Sequence, residues 1–374
     1  MKEFISKHAT ILFISFALFI WRIFLFVIEQ NIFLLQTKAT YLGPLFQANF
    51  DGVYYVAISQ FWYRGLDQAF FPLYPAVIYL ATWLTGLHPA TAGLIVSVVS
   101  LFFLLKFFSL LQVADGFKKS VFWSIILYLS FPSAFFFGAV YTESLFICLT
   151  LLSFYLARKN KHFLSSLVAS FATATRIVGI FLLPALALEF YEQLRVKKKK
   201  ISKKLLIRHF SPLLLVPLGL VSYMGYLWYQ YHDPLLFVHI QPAFGAGRSG
   251  GAIILLPQVL FRYAKILLSA RTTDLTFYVA ILELSTPVIV SLLLYLAYKS
   301  GVRKSYILFS ACALLFPTLS GTLSSLPRYA LVCFPIFIFL AQIKNQYVKA
   351  LLILSGLILE GILALYFLNG YFIS

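Results

Sequence analysis

The sequence predicts an all-α polytopic membrane protein. Three observations carry that expectation. Of 374 residues, 61% are hydrophobic and 11% charged, where soluble domains carry roughly 25% charged residues. Apolar runs recur along the whole chain, at 9–28, 91–113, 121–137, 144–157, 163–175, 177–190, 211–230, 276–298, 305–320, 329–343 and 347–367, which predicts about 11 transmembrane helices. The loops between alternate runs are basic, as cytoplasmic loops are.

Taken in order, the first run follows a basic start, "MKEFISKH", and its roughly 20 apolar residues match one span. A signal peptide and a first span both fit that pattern. The length of the run, Arg22 inside it and the lack of a small-x-small cleavage site favour a retained signal anchor. With the N-terminus in the cytoplasm, residues 29–90 become a long first outer loop carrying interfacial helices. Within it, "PLYPAVIYLATWLTG" (72–86) reads as a half-buried segment on the outer side, since a full crossing there turns Lys118 and Lys119 outward.

The stretch 163–190 is too long for one upright span and too short for two ideal ones, so it reads as a tilted hairpin of two short helices. With these two choices Lys118 and Lys119, then Arg158, Lys159 and Lys161, then "RVKKKKISKKLLIRH" from Arg195 all fall inside. Lys299, Arg303 and Lys304, and finally Lys344 and Lys349, do the same. The chain reads as a single membrane domain, 1–374, with 1–210 as its catalytic module and 211–374 as more variable C-terminal helices.

Lys and Arg number 30 against 12 Asp and Glu, a net charge of +18. No nucleic-acid-binding pattern accompanies the charge, so it reads as orientation signal and affinity for anionic lipid phosphate, and nucleic acid is not an expected partner. Cys148, Cys312 and Cys333 lie in or beside apolar runs without CxxC spacing and read as packing residues.

The chemistry-bearing residues stand at run ends. Asp51 sits in "NFDGVYYVAISQFWYRG", just outside the first span and in a bed of aromatics suited to the headgroup region. Glu143, in "FPSAFFFGAVYTESLF", lies at the outer end of the third and fourth spans. Arg176, in "ATATRIVGIF", is the apex of the short hairpin, and Arg328, in "SSLPRYALVCF", starts the tenth span from outside. Two acids and two arginines thus converge on one membrane face. Ionisable groups inside apolar sequence are costly unless paired or wetted, which makes them functional candidates. The plainer alternatives are that Glu143 pairs with Arg176 or Arg328 to hold helices together, and that Asp51 is the turn residue of an Asp-Gly pair.

At these residues the chain resembles the PIG-V type membrane mannosyltransferases, within the GT-C superfamily of polyprenyl-phosphate-sugar glycosyltransferases. The matching pieces are "FDGVYY", "FFPLYP", "FPSAFFFGAVYTESLF", "YLARKNKHFLSSLVASFATATRIVGIFLLPAL" and "LPRYALVCFP", good over about residues 45–190 and thin afterwards. The resemblance implies a GT-C-like fold, an essential acid in the first outer loop and a lipid-phosphate sugar, mannose above all, as donor. A phosphate leaves as a stable anion without a proton, so one general base suffices, taking the acceptor hydroxyl's proton as it attacks from the opposite face.

Asp51 is the candidate base. Arg176 and Arg328 are candidates for holding the donor phosphate bidentately, Arg248 a weaker one. Glu143 is a candidate for orienting the acceptor or for acting with Asp51 on a metal. No DxD occurs, so the expectation is no obligatory cofactor, with a divalent cation as an option. Tyr54, Tyr55, His239 and Gln241 are candidates for meeting the acceptor or forming a lid.

"GAGRSGG" (245–251) lacks the Lys-Ser/Thr of a P-loop and reads as a flexible loop, part of an outer segment that could order over the donor. His232, Asp233 and His239 in that segment lack a zinc-site spacing. "VLFRYAKILLSAR" (259–271) reads as a basic, amphipathic interfacial helix.

The expected function is therefore an inverting glycosyltransferase of the extracytoplasmic face, with membrane lipids around it and a lipid, glycan or protein as acceptor. A secondary transporter or lipid flippase is the alternative, although transporters place charges near the midplane between inverted repeats. The expected location is a prokaryotic plasma membrane, with the ER membrane as alternative.

Overall fold

The computed structural model describes residues 2–35, 46–196 and 203–373; the lysines at 197–200 of the longest basic run fall outside them. All regular structure among the described residues is helical. Helix α1 (Lys2–Glu29) is one uninterrupted apolar rod. Two shorter helices follow in the first long loop, α2 (Asp51–Phe61) and α3 (Leu73–Thr85). Gly86, at φ 70°, closes α3 in the left-handed conformation that glycine adopts without steric cost. With 13 residues α3 is one of the shorter apolar helices among the described residues, as are His162–Thr173 and Lys304–Ser320.

Helix α4 (Pro89–Ala114) opens with proline at its first position, where the missing N–H costs nothing. Next come α5 (Val121–Leu129), α6 (Glu143–Arg158), α7 (His162–Thr173), and α8 (Leu182–Val196) with a 3-10 lead-in from Ile177. The region 163–190 is thus a hairpin. Beyond it lie α9 (Lys203–Phe210), α10 (Leu218–Tyr231), the single turn α11 (Leu236–His239), α12 (Leu256–Ser269), α13 (Leu275–Lys299) and α14 (Lys304–Leu315). The chain finishes with α15 (Leu326–Tyr329), α16 (Pro335–Leu340) and α17 (Gln346–Leu368).

Among the described residues, five helical segments are long and apolar enough to cross a membrane: Ala9–Glu29, Pro89–Ala114, Ile177–Arg195, Leu275–Lys299 and Gln346–Leu368. A sixth arises if Leu205–Leu215 and Leu218–Tyr231, bent by 41°, count as one. Their outer faces are greasy: Phe16, Phe19, Val288 and Leu351 are each more than half exposed. Such a surface is a liability in water and well solvated in hydrocarbon. This is an all-α membrane protein. Two expected runs are not continuous helices. The run 121–137 breaks where Pro132 follows α5, and 329–343 is split into short pieces by Pro335, because proline lacks the N–H that the next helical turn needs.

One core cluster runs from Ile14 to Ile373, so 1–210 and 211–374 have no separate cores. Tyr128 stacks on Phe337 at 4.2 Å, and Phe154 meets Tyr306 edge-on at 4.8 Å. Inside the bundle Trp21 Nε1 donates to Glu360 Oε1 at 2.9 Å, tying α1 to α17 through an acid with no exposure. Gly356 on α17 faces the end of α5 so closely that a Cβ there falls 2.0 Å from the Ser130 carbonyl oxygen. Gly356→Ala is accordingly expected to cost about 1–3 kcal/mol through overpacking, read as a lower midpoint of thermal unfolding in detergent.

Polar groups gather at the two ends of α6, whose 16 residues separate them by about 24 Å. At the Arg158 end Asp115 accepts from Arg158 Nε at 2.9 Å and from the Tyr306 hydroxyl at 2.8 Å. Arg303 grips the buried Glu189 bidentately at 2.9 and 3.0 Å. Lys349 stands over the Trp123 ring at 4.3 Å, so the last basic loop shares this end with the loop carrying Lys118 and Lys119. Arg158, Arg303 and Lys349, from three of the basic stretches read from the sequence, therefore stand at one physical end of the bundle. The Glu143 end is different.

Candidate active site

Each member of the Glu143-end cluster owes its place to local chain geometry. Asp51 is the first residue of α2, where a carboxylate is favoured by the partial positive charge of the helix start. The residue before it, Phe50, has φ 53°, unfavourable for an aromatic side chain. Its ring is held against Phe367 and Phe372 at 5.8 and 5.5 Å. The Asn49 amide donates to the carbonyls of Phe367 and Leu368 at 3.0 and 3.2 Å, satisfying the C-terminus of α17. The last long helix thus fixes the backbone on which Asp51 stands.

Arg328 lies on the single turn α15, preceded by Ser325 at φ 69°, a second strained non-glycine residue. Glu143 begins α6. Arg176 sits in extended backbone at the apex of the hairpin between α7 and the 3-10 turn leading into α8, and Ala174 beside it accepts from the Leu73 N–H at 3.0 Å.

These four side chains form an alternating chain of charge. Arg328 Nη1 donates to Asp51 Oδ2 at 2.6 Å. Arg328 Nε stands 3.1 Å from Glu143 Oε1, an ion contact without hydrogen-bond alignment, and Arg176 Nη1 donates to the same Oε1 at 2.5 Å. The Tyr329 ring lies 4.4 Å under the Arg176 guanidinium and that of Tyr141 5.2 Å from Arg328. Burial works to lower the Arg176 pKa, but the Glu143 carboxylate outweighs it, so the guanidinium is held charged. Exposure falls along the chain: the side chain of Asp51 is 26% exposed, that of Arg328 12%, that of Glu143 1%.

Asp51, Arg328 and Arg176 open onto a cavity of about 340 Å³ that is also lined by Tyr55, Gln241 and Arg248. Glu143, expected at the reacting face, does not line it; the carboxylate stands behind the two arginines and orients them. Asp51 and Glu143, the pair that could share a divalent cation, have the Arg328 guanidinium between them. Among the described residues no three His, Cys, Asp or Glu side chains cluster as metal ligands.

Two sequence candidates lie off the cavity wall. Tyr54 stacks on Phe70 at 4.7 Å and packs against Phe244, because α2 turns its ring toward the loop aromatics. His239 turns away to Asp233, Nδ1 to Oδ2 2.6 Å, and this contact holds the Asp233 carboxyl below its usual range. The glycine-rich loop, expected to be flexible, is fastened. Ser249 N–H donates to Ser320 O at 2.8 Å and Ile254 N–H to Leu319 O at 2.9 Å, while Arg262 Nη1 donates to the carbonyls of Gly247 and Gly321.

Sequence reasoning missed the opposite wall, where Ser324, Ser325 and Tyr329 flank Arg328. Their adjacency in "SSLPRY" was the available signal. Comparison with family models, curated proteins and solved structures finds no match.

Proposed function

We propose that the protein is an integral membrane glycosyltransferase of GT-C type that moves mannose, with inversion, from a polyprenyl-phosphate donor to a hydroxyl acceptor. The observation that carries this reading is a half-buried carboxylate, Asp51, facing a cavity with three arginines in its wall. A carboxylate at the mouth of such a cavity is placed to act as base, and guanidinium groups are the side chains best suited to a phosphate. The motif resemblance to the PIG-V type enzymes supports the same assignment.

In this reading the chain crosses the membrane eleven times. The end bearing Arg158 and Arg303 faces the cytoplasm, and the cavity opens on the extracytoplasmic side of a prokaryotic plasma membrane. The donor's tail stays in the lipid while its phosphate enters the site, and the acceptor is a lipid, a glycan or a protein. No step in this chemistry requires a metal. Hydropathy alone also suits a transporter or flippase, but the acid and arginines that line the cavity sit at one end of the bundle.

The test is sugar transfer by the purified protein in lipid or detergent, given polyprenyl-phosphate mannose and membrane lipid from its host, with products analysed by mass spectrometry. A new hexose-bearing product is the expected result. Donor binding without product redirects the search to another sugar or acceptor; no donor binding at all removes the transferase reading.

A further inference from the structure

The three arginines of the cavity are not paired alike. Arg176 is matched by Glu143, and Arg328 by Asp51. Arg248 also lines the cavity and makes no ion pair among the described residues. Glu283, which accepts a hydrogen bond from Tyr263 at 2.5 Å and does not line the cavity, lies within electrostatic reach of Arg248. Arg248 is therefore the lining arginine without a carboxylate in hydrogen-bond contact among the described residues. A sugar joined to a prenol through one phosphate is a diester with a single negative charge. The entering donor brings Arg248 a direct partner.

Transfer then changes two charges together. The acceptor oxygen uses a lone pair to form its bond to the anomeric carbon, and the bond from that carbon to phosphate oxygen breaks with its electrons going to the phosphate. The hydroxyl proton passes to Asp51. Prenyl phosphate leaves with a second negative charge as Asp51 loses its own. Arg328, bonded to Asp51 at 2.6 Å and standing 3.1 Å from Glu143 before the reaction, keeps only the buried Glu143 as the leaving group gains a charge that needs a partner.

We propose that Arg328 is handed from Asp51 to the leaving phosphate, coupling proton uptake by the base to stabilisation of the departing anion. This rests on the transferase reading and adds to it: one guanidinium serves both reacting groups in turn.

The test needs no turnover. Binding of a short-chain prenyl phosphate and of its methyl ester is measured at pH 8, where the first is a dianion (phosphate second pKa about 6) and the second a monoanion. Wild type is compared with Asp51→Asn and, should that variant not fold, with Asp51→Ser. Removing the Asp51 charge frees Arg328 beforehand, so the affinity ratio of phosphate over methyl ester is expected to rise at least tenfold, while Arg248→Gln weakens both ligands. An unchanged ratio, with both ligands bound by wild type, overturns the handover and leaves the transferase reading in place. Failure of wild type to bind either ligand overturns both.

Discussion

Asp51→Asn is expected to lower sugar transfer by about 10²- to 10⁴-fold, the usual contribution of a positioned general base, without unfolding the protein. The substitution keeps the shape of the side chain and one oxygen for Arg328, and the position is partly exposed at the cavity mouth, so the structural cost is small. What disappears is the ability to accept a proton: an amide oxygen is far too weak a base. The comparison is initial rate against thermal midpoint for both proteins. A variant that folds normally and transfers normally would take Asp51 out of the reaction. One that loses both rate and midpoint would assign Asp51 to the packing of α2 rather than to chemistry.

The largest structural effect is expected at Glu143. Its Oε1 is shared by Arg176 and Arg328, and the side chain is almost wholly buried. Glu143→Ala leaves Arg176 without its carboxylate in a place water scarcely reaches, a change that costs about 3–5 kcal/mol when one partner of a buried ion pair is removed. Arg328 keeps Asp51 and is hurt less. Thermal unfolding in detergent should show a clearly lowered midpoint, with Glu143→Gln intermediate because it retains an acceptor oxygen. An unchanged midpoint in the alanine variant would mean that water or lipid headgroups already serve Arg176.

The four charged residues of this site were legible because the membrane makes them conspicuous. An acid or arginine at the end of an apolar run costs too much to be incidental, and Asp51, Glu143, Arg176 and Arg328 all carry that mark. The pairing of Glu143 with Arg176 and Arg328 was one of the readings of the sequence, but that of Arg328 with Asp51, across 277 positions, was not. Nor does a motif say which member faces the cavity: Glu143 looked like a reacting group and stands in the second row. Glu189 and Glu360 drew no attention, although each is an acid without exposure held by distant partners.

Hydropathy marked the five long apolar helices among the described residues but not the short α2, α9 and α11, and it ran through Pro132 and Pro335, which were there to be read as breaks. The strain at Phe50 and Ser325 lies in backbone angles. Side-chain chemistry carries no sign of it.

The attachment of Asn49 to the end of α17 bears on how the protein is made. Asp51 leaves the ribosome with the first stretch of the chain, yet the carbonyls that set the backbone beside it belong to Phe367 and Leu368. During synthesis the carboxylate is present long before anything holds it in place. A half-inserted chain carries Asp51 without the seat that fixes its backbone, and on the transferase reading activity is expected only once α17 has docked.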